Sequence, residues 1–258
     1  MDRKQKITEV RHKLANNVPS VGSWMQLADA SVAEILGQAG YDWVAVDMEH
    51  GSVGHSQLPD IFRALELGGT LPLVRLAEGT PKDCKQALDA GSGGVIVPMV
   101  ESAVQLIAVR DSCRWPPSGA RGVGFSRANL FGKHFETYRL EAQAPLLVAM
   151  IENFHAVANL ESILAVSGLD AILIGPYDLS ASMGITGQFD DPSFLAMMNK
   201  IHHLCATSCI SSGIHVVAPD QKVLEQRIIE GYRFLAFSID TVFFNSSCQM
   251  PKLPNSLL

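Results

Sequence analysis

The stretch Tyr41-Asp-Trp-Val-Ala-Val-Asp-Met-Glu-His-Gly51 joins a β-strand pattern to a cluster of ionisable side chains. The apolar residues from Trp43 to Val46 predict a buried strand, and Asp47, Glu49 and His50 follow it immediately. In α/β proteins, ligands bind beyond the carboxyl ends of parallel strands. The stretch therefore predicts an active site at a strand end. The alternative is a strand that simply runs out into solvent.

The alternation of strand and helix continues along the whole chain. Apolar, β-favouring runs predict strands at 21–26, 43–46, 71–74, 94–98, 146–151, 171–174, 213–217 and 234–238. Helical periodicity and capping signals predict helices at 32–38, 57–67, 81–89, 103–112, 156–166, 193–208 and 221–230. Eight strands in 258 residues predict an α/β fold of the (β/α)8 TIM-barrel type. An open doubly wound sheet is the alternative, but no strand leads into a GxGxxG loop.

The N-terminal segment and the overall composition complete this expectation. Ile7, Val10 and Leu14 are three and four residues apart, which predicts an extra N-terminal helix lying on the barrel. Hydrophobic residues make up 47% of the chain and charged residues 18%, which is ample for one core. No shift in composition divides the sequence. We therefore expect residues 1–258 to form a single barrel domain.

Charge and cysteine content exclude several classes of protein. The net charge of −6 and the lack of basic runs argue against a nucleic-acid partner. No apolar run approaches the length of a membrane span, and the N-terminus has no signal-peptide core. Five cysteines without a CxxC pair are typical of free thiols in a reducing compartment. We expect a cytoplasmic protein with neither membrane nor nucleic-acid partners.

Carboxylates follow two neighbouring predicted strands. Glu152 ends the apolar run at 146–151, and Asp178 follows the strand at 171–174 after a Gly-Pro-Tyr turn. The ends of adjacent strands are about 5 Å apart, so the two carboxylates can hold one divalent ion. Oxygen ligands favour Mg²⁺ or Mn²⁺, with Co²⁺ as a further candidate. The alternatives are a salt bridge for Glu152 and, for Asp178, the N-cap of a helix beginning at Leu179.

A cation and a histidine stand at two other strand ends. Arg75 closes the third strand, where its planar fork suits a carboxylate or an enolate oxygen; the alternative is a structural ion pair with Asp47 or Glu49. Asp47 precedes His50 by three residues, close enough to orient the imidazole as an acid/base group. His215 lies on the seventh strand, where we expect it to pack.

Taken together, these blocks resemble the HpcH/HpaI aldolase family, the metal-dependent class II pyruvate aldolases. The resemblance covers about residues 22 to 240. It rests on Gly22-Ser-Trp24, Ala39-Gly-Tyr-Asp-Trp43, Asp47-Met-Glu-His-Gly51, Val74-Arg75, Leu88-Asp-Ala-Gly91, Gly94-Val-Ile-Val-Pro-Met-Val100, Pro116-Pro117 with Arg121-Gly-Val-Gly124, Ile151-Glu-Asn153, and Gly175-Pro-Tyr-Asp-Leu-Ser180 with Gly184.

The resemblance implies reversible cleavage of a 2-keto-4-hydroxy acid to pyruvate and an aldehyde through a metal-stabilised enolate. It implies a homo-oligomer, a hexamer or trimer of dimers, often built by exchange of a C-terminal helix. Metal ligands would be Glu152 and Asp178, and the acid/base would be His50 with Asp47. Arg75 would hold the pyruvate oxygen and stabilise the enolate. The remaining implied substrate contacts are Trp24, Gly175, Pro176, Tyr177, Asp178 and Leu179.

Three positions depart from the family pattern. Met150 stands where many members carry Gln, Tyr177 replaces a small residue, and Ser118 follows the proline pair where a charged residue is frequent. Two alternatives remain open, the first of them because of Met150 and Tyr177. One is a citrate-synthase-like enzyme that condenses an acyl-CoA with a keto acid. The other is a non-catalytic barrel, against which the joint presence of the catalytic residues argues.

Overall fold

Eight parallel strands form a closed barrel in the computed structural model, which describes residues 1–251. The strands follow one another around the barrel in chain order, and the last pairs with the first. This topology confirms the predicted (β/α)8 barrel and excludes the open doubly wound sheet. The predicted single domain of residues 1–258 includes residues 252–258, which lie outside the described residues.

The strand ends fall within two residues of the predicted ones. The strands are β1 (Ser20–Met25), β2 (Trp43–Asp47), β3 (Leu71–Arg75), β4 (Gly94–Val97), β5 (Leu146–Ile151), β6 (Ala171–Ile174), β7 (Ser211–Val216) and β8 (Phe234–Ile239). The helices are α1 (Arg3–Ala15), α2 (Ala30–Gln38), α3 (Leu58–Leu67), α4 (Pro81–Ala90), α5 (Ala103–Cys113), α6 (Phe135–Glu141), α7 (Phe154–Ala158), α8 (Leu160–Leu164), α9 (Pro176–Ser182), α10 (Pro192–Ser208), α11 (Gln221–Ile229) and α12 (Asp240–Ser247).

Two helical predictions were wrong in detail. The predicted helix at 156–166 is two short helices, α7 and α8, because Asn159 leaves the helical conformation and donates from its side chain to the Glu101 carbonyl oxygen. The helix expected to begin at Leu179 begins at Pro176, with Gly175 as its N-cap. Proline suits this first position because its fixed φ is helical and its missing N–H needs no partner.

Large aromatic residues fill the inside of the barrel. Trp43 on β2 stacks on Phe234 of β8, with ring centroids 4.3 Å apart and planes 6° apart. The indole of Trp43 lies against Gly22 of β1, where a Cβ atom would be 2.1 Å from the ring. Any larger residue at position 22 would displace the tryptophan, so this glycine permits the aromatic core.

The N-terminal helix α1 extends the same core at the amino end of the barrel. Its residues Ile7, Val10 and Leu14 are buried in the cluster that contains Trp43 and Phe234, as predicted. The barrel mouth at the carboxyl ends of the strands is therefore the end left for ligands. None of the helices within residues 1–251 combines the length and apolar character that crossing a membrane would require.

Candidate active site

A cavity of about 1330 Å³ includes the barrel mouth at the carboxyl ends of the strands and extends as far as Asn17 and Arg233, which precede β1 and β8. It continues alongside β7 into the space between α10 and α11, where Met198 and Val223 line it. The predicted site residues that line the cavity come from four different stretches of chain. They are Trp24, Arg75, Glu152 and the segment 175–178. The barrel thus brings together side chains that are far apart in sequence.

Arg75 is held at the mouth by Asp47. The two residues are register partners on β3 and β2. Nε of Arg75 donates to Asp47 Oδ1 at 2.8 Å, and Nη2 donates to Oδ2 at 2.5 Å. This bidentate geometry fixes the plane of the guanidinium. Asp47 uses two of the five N–H hydrogens, so three on Nη1 and Nη2 remain available to a ligand.

The contacts of Asp47 differ from the predicted ones. Its Oδ1 accepts from the backbone N–H groups of Glu49 and His50, at 3.1 and 3.2 Å, and its Oδ2 accepts from Gln26 at 3.0 Å. Within residues 1–251 the imidazole of His50 makes no hydrogen bond to Asp47. Arg75 donates to both carboxylate oxygens of Asp47. Asp47 therefore positions the backbone of His50 and not its imidazole ring.

Asp47 is fully buried yet held as an anion. Burial acts to raise its pKa, but the hydrogen bonds and charge of Arg75, together with Gln26 and the His50 amide, lower the pKa to about 2. The ion pair is therefore intact across the physiological pH range.

Glu49 adds a second carboxylate beside Arg75. Its Oε2 lies 2.9 Å from Nη1 of Arg75 as an ion pair, but off the direction of the N–H bonds, so this buried oxygen accepts no hydrogen bond. Burial raises the pKa of Glu49, and the neighbouring carboxylates Asp47 and Asp178 raise it further. His50 is exposed and is not among the residues that line the cavity, but its charge acts on Glu49 and lowers the pKa of that carboxyl.

Glu152 is a buried carboxylate with one fixed oxygen. Its Oε2 accepts the backbone N–H of Met99 at 2.9 Å. Met99 has φ of 49°, a left-handed conformation that is uncommon for a non-glycine residue and aims the N–H at the carboxylate. Burial, with the charges of Glu49 and Asp178, raises the pKa of Glu152 to about 7 against the opposing effect of the Met99 amide. No salt bridge to Glu152 is present within residues 1–251.

Gly175 allows β6 to approach Glu152 closely. A Cβ at position 175 would lie 2.9 Å from both Cγ and Oε1 of Glu152. The side chain of Glu152 could not keep its position beside any larger residue. Gly175 thus shapes the space around the unfixed oxygen of Glu152.

Asp178 lies in the first turn of α9 and does not cap it. The N-cap is Gly175, and no side chain caps the helix, so the structure excludes the alternative in which Asp178 is the N-cap. Its carboxylate is exposed and forms no hydrogen bond or salt bridge within residues 1–251. Asp178 is free to bind a ligand that enters the cavity.

Only part of the 175–179 segment can offer backbone amides. Gly175 donates to the Ile151 carbonyl at 3.2 Å and Leu179 donates to the Gly175 carbonyl at 2.9 Å. Pro176 has no N–H. Tyr177 and Asp178, in the first turn, have no intrahelical acceptor. Leu179 is also fully buried, so neither its amide nor its side chain reaches the cavity, contrary to the prediction.

The carboxylates fit a divalent cation. The negative charges of Glu49 and Asp178 both raise the pKa of Glu152, and the positive charge of Arg75 acts in the opposite direction. Glu49, whose Oε2 accepts no hydrogen bond, and Asp178, which has no partner within residues 1–251, add further hard oxygen ligands and negative charge. No group of three His, Cys, Asp or Glu side chains within residues 1–251 has the geometry of a metal site, so water or substrate oxygens would complete the ligand sphere.

Some residues of the site were not predicted. Gln26 and Met99 stand at strand ends, but their contacts with Asp47 and Glu152 depend on a side-chain amide and a backbone conformation that have no sequence signature. His215 was expected only to pack. It lines the cavity beside Trp24, with ring centroids 5.1 Å apart.

The three departures from the family pattern lie in different surroundings. Met150 is buried inside the barrel and lines the cavity. Tyr177 is 61% exposed, and its ring meets Phe189 edge to face at 5.0 Å, so it forms part of the cavity wall. Ser118 donates to Gln143 at 3.2 Å and does not line the cavity.

Comparisons with known proteins agree with this geometry. Residues 20–246 match the family model described as HpcH/HpaI aldolase/citrate lyase. A hydroxypyruvate/pyruvate aldolase from Roseobacter denitrificans is 39% identical over 223 residues, 85% of this chain and 86% of that protein. A 2-dehydro-3,6-dideoxy-6-sulfogluconate aldolase from Pseudomonas putida is 37% identical over 228 residues, 88% of each.

A solved structure shows the same fold. The crystal structure of an HpcH/HpaI aldolase/citrate lyase family protein from Burkholderia cenocepacia superposes with a TM-score of 0.86 at 30% identity, covering 93% of this chain and 95% of that one. The family match spans most of the barrel, and it includes every strand that carries a residue of the site. The chain therefore belongs to the HpcH/HpaI aldolase/citrate lyase family and is a carbon–carbon lyase.

Proposed function

We propose that this lyase is a metal-dependent aldolase that reversibly cleaves a 2-keto-4-hydroxy acid to pyruvate and an aldehyde. The observation that carries the proposal is the meeting, at one barrel mouth, of a fixed guanidinium with two carboxylates suited to a divalent cation. Cleavage of a 2-keto-4-hydroxy acid needs positive charge at the keto and carboxylate oxygens, which a cation and a guanidinium supply. It also needs a group that removes the proton of the C4 hydroxyl.

In this proposal, Arg75 binds the keto oxygen of the substrate. That oxygen can accept from an N–H that Asp47 leaves free on Nη1 or Nη2. Negative charge develops on the same oxygen when the enolate forms. Since Asp47 already fixes the guanidinium, little reorganisation is needed as the charge appears.

Glu152 and Asp178 would hold the divalent cation. Bound there, it would supply Lewis-acid polarisation of the keto group. Mg²⁺ and Mn²⁺ suit these oxygen ligands, and Co²⁺ is a further candidate. The amides of Tyr177 and Asp178 would receive the substrate carboxylate at the same end of the cavity.

His50 is the proposed proton carrier. Its imidazole removes the proton from the C4 hydroxyl, the C3–C4 bond breaks, and the aldehyde carbonyl forms at C4. The electron pair of the broken bond goes to C3 as the pyruvate enolate, which is then protonated to pyruvate. Asp47 accepts a hydrogen bond from the backbone N–H of His50, which fixes the start of the loop that follows β2.

The test is pyruvate release from a 2-keto-4-hydroxy acid by purified protein, with Mg²⁺, with Mn²⁺ and after EDTA treatment. We expect release with either metal and its loss in EDTA. Release that persists in EDTA, or in the Glu152→Ala variant, would refute the metal-dependent mechanism. Consumption of acetyl-CoA with oxaloacetate, in place of pyruvate release, would favour the acyl-CoA condensing alternative.

We further propose that the protein is a cytoplasmic homo-oligomer. Phe125 and Phe131, in the long connection before β5, are 75% and 69% exposed, which is unusual for phenylalanine. Their exposure supports the proposal that a second copy of the chain packs against them. All five cysteines carry free thiols, in keeping with a reducing compartment. A hexamer or trimer of dimers is expected from sedimentation or light scattering.

A further inference from the structure

The imidazole of His215 is a polar group of the cavity to which the proposed mechanism gives no role. β7 places the ring beside Trp24, with centroids 5.1 Å apart and planes inclined by 34°. The same indole contacts the guanidinium of Arg75, whose Cζ lies 5.1 Å from the ring centroid. His215 is therefore separated from the proposed keto-oxygen site by a single side chain.

The backbone fixes the tautomer of this histidine. Nε2 of His215 lies 3.0 Å from the carbonyl oxygen of Ser238. A carbonyl oxygen only accepts hydrogen bonds, so Nε2 carries the hydrogen and Nδ1 carries a lone pair. Ser238 has φ of 57°, a conformation that non-glycine residues adopt only under local constraint. The strained strand end thus aims its carbonyl at the histidine.

Nδ1 remains as an acceptor with no donor. It makes no hydrogen bond within residues 1–251, and it is not among the fully enclosed atoms that lack a partner. Burial lowers the pKa of His215 to about 4, so the ring stays neutral at physiological pH. An acceptor on the wall of a ligand cavity gains most from a ligand that brings a hydrogen-bond donor.

We propose that His215 determines specificity for the aldehyde half of the substrate: Nδ1 accepts a hydrogen bond from a hydroxyl group of a polyhydroxylated aldehyde. This inference rests on the proposed aldolase function. A hydroxyl supplies the donor that Nδ1 lacks, whereas an alkyl group in the same place would leave the lone pair unpaired. Hydroxylated aldehydes are therefore preferred over alkyl aldehydes of the same shape.

The test is aldol addition of pyruvate to two matched aldehydes. Glyceraldehyde carries two hydroxyl groups, and 2-methylbutanal carries alkyl groups in their place. The ratio of kcat/KM for the two is measured in the wild type, in His215→Leu and in His215→Asn. Leu and Asn have similar branched shapes, but only Asn places an accepting oxygen near the position of Nδ1. Comparing ratios cancels the different intrinsic reactivity of the aldehydes.

We expect His215→Leu to lower the ratio about tenfold, the size of one hydrogen bond, and His215→Asn to keep most of it. An equal fall for both aldehydes in both variants would show a structural role and overturn the proposal, as would an unchanged ratio in His215→Leu. The wild type also has a separate control, release of pyruvate from oxaloacetate, which uses no aldehyde. A wild-type protein that neither releases pyruvate from oxaloacetate nor adds pyruvate to either aldehyde would refute the proposed aldolase function. The proposed role of His215 would then be refuted as well.

Discussion

Asp47 and Arg75 occupy the same register position at the carboxyl ends of β2 and β3, and two hydrogen bonds join their side chains. The sequence predicted a substrate-binding arginine and an aspartate that orients a histidine, with an ion pair of Arg75 to Asp47 or Glu49 as the alternative; the structure shows that ion pair. The structure makes them one unit, in which a buried anion sets the direction of the cation. A substrate oxygen then meets a guanidinium that is already in place.

Asp47→Asn should damage this unit in two ways. The neutral amide cannot accept both N–H groups of Arg75, so the guanidinium loses its fixed plane and kcat for pyruvate release should fall on the order of a hundredfold. The buried charge of Arg75 is also left uncompensated, which should cost about 3 kcal/mol in the free energy of unfolding. Steady-state kinetics and urea unfolding measure the two effects.

Asp60→Asn is the matched control. Asp60 pairs with Arg63 on the surface of α3, where its side chain is 73% exposed. Because exposed pairs contribute little, both measurements should stay near wild type. Comparable losses in the two variants would show that the position of Asp47 has no special importance.

His50→Asn should separate two reactions of the same site. Removal of the C4 hydroxyl proton needs a base, so aldol cleavage should fall about a hundredfold or more. Oxaloacetate loses CO₂ to give the same enolate without that proton transfer, so its decarboxylation should fall much less. His55→Asn, at a histidine 4.0 Å from Asp83, is the control and should leave both rates close to wild type. Equal losses in both reactions would contradict the assigned role of His50.

Glu152 should make the metal-free protein less stable as the pH rises. Its pKa is about 7 in the folded protein against 4.5 for an unperturbed glutamate, so the fold favours the protonated form. The resulting destabilisation is absent below about pH 4.5, grows as Glu152 ionises, and is complete above about pH 7. In EDTA, Glu152→Gln should therefore raise the free energy of unfolding at pH 8 by up to about 3 kcal/mol and leave it unchanged at pH 4.

Glu161→Gln removes an exposed carboxyl group in the first turn of α8 and is the control, which should not raise the free energy of unfolding at pH 8. Urea unfolding at the two pH values makes the measurement. An identical effect of Glu152→Gln at both pH values would mean that the carboxyl group is not held protonated by its surroundings.

Gly175→Ala should weaken metal binding while preserving the barrel. The added Cβ would lie 2.9 Å from Cγ and Oε1 of Glu152, and the end of that side chain can move away. The displaced carboxylate should bind Mg²⁺ about tenfold more weakly in calorimetry, with an unchanged circular dichroism spectrum. Gly122→Ala is the control, because nothing lies within 4 Å of its Cβ position. Wild-type affinity in Gly175→Ala would argue against Glu152 as a ligand.

The sequence predicted the scaffold better than the contacts within the site. Strand runs such as Leu146–Ile151 are uniformly apolar because both faces of a barrel strand are buried, and their ends then locate Arg75 and Glu152. The contacts at those ends depend on three-dimensional arrangement. The hydrogen bond from the Met99 N–H to Glu152 depends on a left-handed backbone conformation at Met99. The neighbouring residues in the sequence, a proline and a valine, do not indicate that conformation.

The start of α9 illustrates the same limit. Gly175-Pro176 is typical of a turn and also of a helix N-terminus, and the choice between them decides whether Asp178 caps the helix or stays free. Asp47 could orient His50 or bind Arg75 on spacing alone. Only the pairing of β2 with β3 decides in favour of Arg75.

The most direct test of the central claim is exchange of the methyl protons of pyruvate in D₂O, followed by NMR, which reports enolate formation without knowledge of the aldehyde. With Mg²⁺, the wild-type protein should exchange these protons far faster than buffer, and EDTA, Glu152→Ala or Arg75→Lys should each remove most of that rate. Exchange no faster than in buffer, or exchange that survives both EDTA and Glu152→Ala, would contradict a metal-dependent pyruvate enolate at this site.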